Sequence, residues 1–328
     1  MSAPASSSPP EPLPPRAAAA PSEPPPGGWE VPSSLNGILL AGASTASALL
    51  LWNASHTSSP AILVLSAALF AMTANTLFSL LHEAVHGQFS RHRGVNEWAG
   101  RLAAAWFPTG LSIQRAFHLT HHRNNRSESE QFDVLHPGDV RWLKYAQWYA
   151  ILTGVYWLTA VLGVLGYLLV PGVLRLRFLR SSSSRVARQT ASGPYFEALE
   201  SLPPVKARLE ILFAIALQAA LAVALDLSLV GWGACYGAFA LAWSSLQYAD
   251  HAFSPLHREE GAWNLRVSPV TRAFFLNYHY HRAHHQHPRV PWIHLPKLAR
   301  RMEDEPTFWQ IWRAMWRGPR KGPTEGHG

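Results

Sequence analysis

The chain is poor in charge and almost without cysteine. Only 15% of its 328 residues are Asp, Glu, Lys or Arg, against about 25% in an average soluble domain. That is too few to wet a globular surface, so much of the chain is expected to face lipid. The single cysteine, Cys235, lies inside an apolar run. It excludes an intramolecular disulfide framework and any thiolate cluster for zinc or iron–sulfur, so a bound metal would have to rest on imidazole or carboxylate. The charged-then-apolar opening of a signal peptide is missing too. Residues 1–28 are instead rich in Pro, Ala and Ser without apolar periodicity, which predicts a disordered tail.

What is present is sharply segregated. Between Val31 and His82 there is no Asp, Glu, Lys or Arg. That stretch of about 50 residues suits two spans of about 20 with a turn, read as Leu35–Trp52 and Ala61–Leu81 joined by Asn53–Pro60. A second uncharged run covers Tyr145–Leu174. A third, Ile211–Ala249, is broken only by Asp226, and a tight hairpin is predicted to turn at Asp226–Leu227. Beyond Arg16, every Lys and Arg falls in Arg91–Lys144, Arg175–Arg208 or Arg258–Lys321. The positive-inside rule makes these blocks, and both termini, cytoplasmic. Tyr145–Leu174 has basic chain on either side and is therefore predicted to be re-entrant or interfacial. The fold class expected is an all-α integral membrane protein: four transmembrane helices in two hairpins, that extra segment, and a cytosolic helical cap. The membrane domain is drawn at 29–305 and a basic, Trp-rich C-terminal tail at 306–328, with Trp309, Trp312 and Trp316 as an interfacial anchor. The net charge of +8 is assigned to an anionic membrane surface rather than to nucleic acid.

The 17 histidines are strongly clustered. His82 and His86 stand at i and i+4, a spacing that projects from one helix face and allows a shared metal. His118, His121 and His122 stand at i, i+3 and i+4, again read as one face, and His281, His284 and His285 repeat that spacing. His251, after Asp250, is a ninth candidate. Nine imidazoles are too many for one zinc, which takes four ligands, so two metal ions are the natural count. A sulfur-free, nitrogen-rich set suits iron, zinc, copper or nickel. Glu83, Asp133 and Asp250, with Asn277, are expected to orient the ring N–H groups. His56, His92, His136, His257, His287, His294 and His327 read as ordinary interfacial or surface histidines. His279, two residues before His281, belongs on another helix face and has no assignment.

These residues resemble the membrane fatty-acid desaturase superfamily, which includes related hydroxylases and carotenoid ketolases. The resemblance rests on His82-x3-His86, His118-x2-His121-His122 and His281-x2-His284-His285, with Asn277 ahead of the last box and Pro288 and Pro291-Trp292 behind it. It implies two non-haem iron ions on the box histidines, dioxygen as co-substrate, a membrane lipid or acyl substrate, and an external electron donor such as ferredoxin or a small haem protein. His251 matches loosely an additional family ligand. The implied activity is desaturation of a fatty acyl chain, with lipid or carotenoid hydroxylation or ketolation as the alternative. A non-catalytic metal carrier is the reading from a different class. Small residues in the hairpins, Ala71, Ala74, Gly237 and Ala240, are candidates for lining an acyl passage.

The charge distribution generates a topology test. In a Cys235→Ser background, a cysteine probe at Ser58 is expected to react with an impermeant external reagent and one at Ser183 to stay unlabelled. Strong external labelling at Ser183 would mean that Tyr145–Leu174 spans.

Overall fold

The computed structural model describes residues 28–322 except 171, 173, 175, 181–183, 300 and 301. The stretch 1–27 of the expected N-terminal tail and the probe position Ser183 lie outside the described residues. The fold is an all-α membrane fold whose long helices follow the uncharged runs. Helices α1 (Ser33–His56) and α2 (Pro60–Val85) form one hairpin, and α10 (Pro204–Ala224) and α11 (Leu229–Ala249) form the other. Each is long and apolar enough to cross a membrane, since 20 residues at about 1.5 Å rise already cover the hydrocarbon core. Pro60 and Pro204 start their helices at the first turn, where a missing N–H costs nothing. Asp226, at a positive φ of 47°, turns the second hairpin between α10 and α11, as expected.

Between the hairpins run α3 (Arg93–Trp106), α4 (Leu111–Asn124), α5 (Arg141–Thr153), α6 (Val155–Leu169), and the short α7 (Arg177–Arg180), α8 (Arg185–Gln189) and α9 (Ser192–Glu200). After α11 come α12 (Pro269–Phe274), α13 (His281–Gln286), α14 (Leu295–Leu298) and α15 (Phe308–Met315). A two-residue parallel ladder pairs Val134–Leu135 with Arg320–Lys321.

Helices α2 and α11 pack on one another and both touch α1. Half of the most apolar window of each is buried, against 22% for α1 and α10, so α2 and α11 are central and the other two present their apolar sides outward. Polar side chains inside these helices are spent on helix contacts. Ser47 Oγ meets Thr73 Oγ1 at 2.8 Å and Asn53 Nδ2 donates to Ser66 Oγ at 2.8 Å, because lipid offers such groups no partner. Glu210 of α10 is buried; it accepts from Arg101 Nε at 3.0 Å and from the Ser112 N–H at 2.7 Å. It thereby ties α3 and the first turn of α4 to the second hairpin.

The run Tyr145–Leu174 is broken at Gly154, where α5 and α6 meet at 102°. Gly154 sits at φ 84°, and a β-carbon there would come within 2.8 Å of the Leu241 nitrogen. The kink therefore needs both a left-handed conformation and a bare backbone against α11. The boundary drawn at residue 306 does not coincide with a packing boundary. Met315 is fully buried, Trp148 Nε1 donates to its carbonyl at 2.7 Å, and Thr307 caps α15 with a reciprocal capping box to Gln310. Trp309, Trp312 and Trp316 do form one edge-on row, with neighbouring ring centroids 5.5 Å apart.

Replacing Gly154 by Val combines a left-handed β-branched residue with overlap on α11. A loss of roughly 2–4 kcal/mol is expected from those two causes. It should be read as a lowered unfolding temperature in detergent; an unchanged temperature would show that α5–α6 does not dock as described.

Candidate metal centre

The C-terminal ends of α2 and α11 reach the same region, and there the histidines converge. His82 and His86 come from the end of α2, His251 from the turn after α11, and the rest from α4 and α13. Helix C-termini carry a partial negative charge that favours a nearby cation. All nine candidate histidines meet, in two adjoining groups: His82, His86, His118, His122 and His284 in the first, and His121, His251, His281 and His285 in the second. Within each group the ring nitrogens lie within 4.8 Å of one another. Nitrogens about 2.1 Å from a shared ion would be spaced at roughly 3 to 4.2 Å. The groups touch through His122 and His285, whose ring centroids are 4.3 Å apart.

The triplets in α4 and α13 do not each serve one ion, contrary to the single-face expectation. At 3.6 residues per turn, i and i+4 are separated by about 40° and i+3 and i+4 by about 100°. The ring spacings follow: His118–His122 is 4.5 Å but His118–His121 is 6.1 Å, and His281–His285 is 4.7 Å but His281–His284 is 5.7 Å. In both helices the i, i+4 pair stays together and the i+3 ring crosses to the other group.

The donor set fits cations. In the first group the Nε2 atoms of His86, His118, His122 and His284 form a chain with gaps of 2.8, 2.9 and 3.0 Å. In the second, those of His121, His251, His281 and His285 do so at 3.1, 3.0 and 3.2 Å. A neutral imidazole nitrogen is either a donor or an acceptor, so four nitrogens in a row can satisfy at most two of three such contacts. His82 Nε2 is buried with no partner. Protonation does not relieve the surplus. Burial, followed by the neighbouring imidazoles, holds His118, His251, His281, His284 and His285 well below the usual 6.5 and takes His122 to about 2. A metal ion shared by the lone pairs satisfies all of them.

The outer ring nitrogens find different partners from those expected. His251 Nδ1 donates to the Gly261 carbonyl at 2.8 Å, which fixes its Nε2 as a lone pair facing the site. His121 Nδ1 lies 2.7 Å from Glu130 Oε2. Neither partner was among the expected ones; Glu130 follows the second box closely enough to be a sequence candidate, whereas a carbonyl leaves no trace in residue identity. Asp250 lies 3.6 Å from His281 Nδ1, fully buried, with both oxygens unpartnered, and burial pushes its carboxyl well above the usual range.

Glu83 and Asn277 do other work. Glu83 is 3.8 Å from His82 Nδ1, beyond hydrogen bonding, and accepts instead from the Trp292 N–H at 3.1 Å. Asn277 donates to the Trp292 carbonyl at 3.1 Å, and Asn36 accepts from the Trp292 indole at 2.9 Å. The two carboxamides and the carboxylate thus clamp the chain that follows the third box. Asp133 touches no histidine: it forms a buried two-pronged pair with Arg126 at 2.7 and 3.0 Å and also accepts from Tyr248 and the Phe253 N–H.

Below the rings lies an aromatic layer of Phe78, Phe107, Trp243 and Tyr278, with centroids 4.7 to 5.9 Å apart. Tyr278 bridges the groups, 5.1 Å from His82 and 5.0 Å from His281. Ala71, Ala74 and Ala240 are buried in the interhelical core, but Gly237 is exposed on the outer side of α11, so it cannot line an internal passage. The cleft that reaches His82 and His284 is formed by Ser79, Glu83, Leu276, Tyr278, Trp292 and Leu295. His279 is buried and belongs to neither group. His136 and His294 also stand apart, the latter bonded to the Glu30 carbonyl.

A membrane fold with two adjoining, histidine-only groups able to hold metal defines a class of helical membrane protein. Residues 58–313 match the family described as fatty acid desaturase, and the chain belongs to that family. No curated protein matches it.

The depressed ring pKa values set a pH dependence for the metal-free protein. In the unfolded chain the rings take up protons near 6.5, whereas the buried rings resist protonation until far lower. The unfolded state therefore binds more protons as pH falls below 6.5, and stability drops. The unfolding temperature of metal-stripped protein is expected to be steady above about pH 7 and to fall progressively towards about pH 5. A flat profile would mean that the rings are open to solvent.

Proposed function

We propose that the protein is an oxygen-dependent, di-iron membrane oxidoreductase that desaturates a fatty acyl chain, presented as an acyl-lipid or a thioester. The observation that supports it most is the pair of buried, sulfur-free histidine groups in contact through His122 and His285, in a chain of the desaturase family. His82, His86, His118, His122 and His284 would hold one iron, and His121, His251, His281 and His285 the other. When bound, such an iron pair supplies the redox chemistry that couples dioxygen reduction to removal of hydrogen from an unactivated methylene.

The chain's own residues account for the conditions that chemistry needs. Neutral imidazoles leave the cations their full charge, and Asp250 lies buried 3.6 Å from His281 Nδ1. The packed layer of Phe78, Phe107, Trp243 and Tyr278 gives the histidine groups an apolar floor that would keep water from a bound metal pair. An acyl chain has no polar handle, so the reacting carbon must be chosen by the shape of an apolar passage that holds it near the site. Electrons come from a separate donor protein, which suits a centre on the side of the basic segments; these segments and both termini are assigned to the cytoplasm. The position of both groups at one end of the helices disfavours a permeation path, which needs polar groups at mid-bilayer.

Expression in a host lacking the activity, followed by lipid profiling, is expected to reveal chains lighter by two hydrogen atoms. A gain of one oxygen would instead assign hydroxylation, and metal flux into vesicles without lipid change would assign a carrier. Ala at His86, His122 or His285 should abolish turnover and lower bound iron, whereas Ala at His136 or His294 should leave both nearly unchanged. Full iron and full turnover in the three box variants would contradict the assignment.

A further inference from the structure

We infer that Glu130, steadied by Tyr195, is the positioning residue for His121, and that helix α9 is thereby coupled to the second metal group. The inference rests on reading the histidine groups as metal sites. Among the four rings of that group, His121 is the partly exposed one, while His251, His281 and His285 are buried. Packing locks the three buried rings; His121, with a fifth of its side chain accessible, depends on a hydrogen bond for its orientation. Glu130 provides it at 2.7 Å from His121 Nδ1. A carboxylate on Nδ1–H fixes the tautomer, turns the Nε2 lone pair towards His251 Nε2 at 3.1 Å, and strengthens the ring as a donor.

Glu130 is itself anchored from two directions. Its other oxygen accepts from Tyr195 Oη at 2.7 Å, and its main-chain carbonyl lies 3.1 Å from Tyr248 Oη, whose single proton it shares with Asp133 Oδ1 at 2.8 Å. Tyr195 belongs to α9 and packs edge-on against Phe117 of α4 at 5.3 Å, one turn ahead of His121. Among the described residues the first group has no equivalent: the carboxylate nearest to one of its outer nitrogens, Glu83, stands 3.8 Å away. The two groups are therefore supported unequally, and only the second is steadied by a carboxylate tied to α9.

The test is calorimetric and spectroscopic titration of metal-stripped, full-length protein in detergent with Co²⁺. The wild type is expected to bind two ions per chain. Glu130→Ala is expected to weaken one of them by about 10–100-fold, with loss of the corresponding visible bands and no change in the other ion. Tyr195→Phe, which removes one hydroxyl, should shift the same ion in the same direction by less. Glu130→Gln, which keeps an acceptor without the charge, should recover part of the loss. Two wild-type affinities in Glu130→Ala, or an equal weakening of both ions in that variant, would overturn the inference while leaving two metal sites. A wild type that binds no ion would overturn both.

Discussion

Nine imidazoles pointing ring nitrogens into two adjoining volumes are the constraint on which this structure turns. Such an arrangement is unfavourable by itself, because neutral nitrogens at hydrogen-bond distance cannot all be satisfied and burial denies them protons. It persists because long helices and their loops hold the rings in place from outside. Helices α2 and α11 end together and carry four parts of the site: His82, His86, Asp250 and His251. Their packing on one another, with α1 against both, holds those ends side by side.

The supports are polar contacts set into apolar surroundings, where each counts for more than in water. Trp292 is gripped through its N–H, carbonyl and indole by Glu83, Asn277 and Asn36. This joins the first box, the third box and the start of α1 in one clamp. The Arg126–Asp133 pair does the same for the second box and the turn after α11. A buried pair of this kind adds little net stability over an apolar equivalent, so its role here is to define a single arrangement of two loops.

Leu276 and Asn277 show how closely the third box is specified. Both adopt positive φ, 45° and 58°, a conformation that Asn tolerates and Leu does not favour. The strain is held by hydrogen bonds from Thr76 and Ser79 of α2 to the carbonyls of Phe274 and Phe275, at 2.6 and 3.0 Å. A span residue thus aims a loop, and the loop presents α13 to the metal centre.

Composition and spacing were enough for the long elements and for the identity of the histidines. Uncharged runs must leave water, so the two hairpins were legible, whereas the 102° break at Gly154 inside Tyr145–Leu174 belongs to the tertiary structure. An i, i+4 pair shares a helix face whatever surrounds it, so His82 and His86, His118 and His122, and His281 and His285 were legible as pairs. Which group received His121 and His284 was decided by the angle at which α4 and α13 approach each other, and that is a relation between distant segments. The same holds for Glu83, Asn277 and Asp133, whose residue types suited ring orientation while their neighbours in space turned them to other tasks. It holds for Gly237, where helical position alone does not distinguish an inward from an outward face. Local sequence carries periodicity and charge; the pairing of a ring nitrogen with Glu130 or with the Gly261 carbonyl exists only once the chain has brought those atoms together.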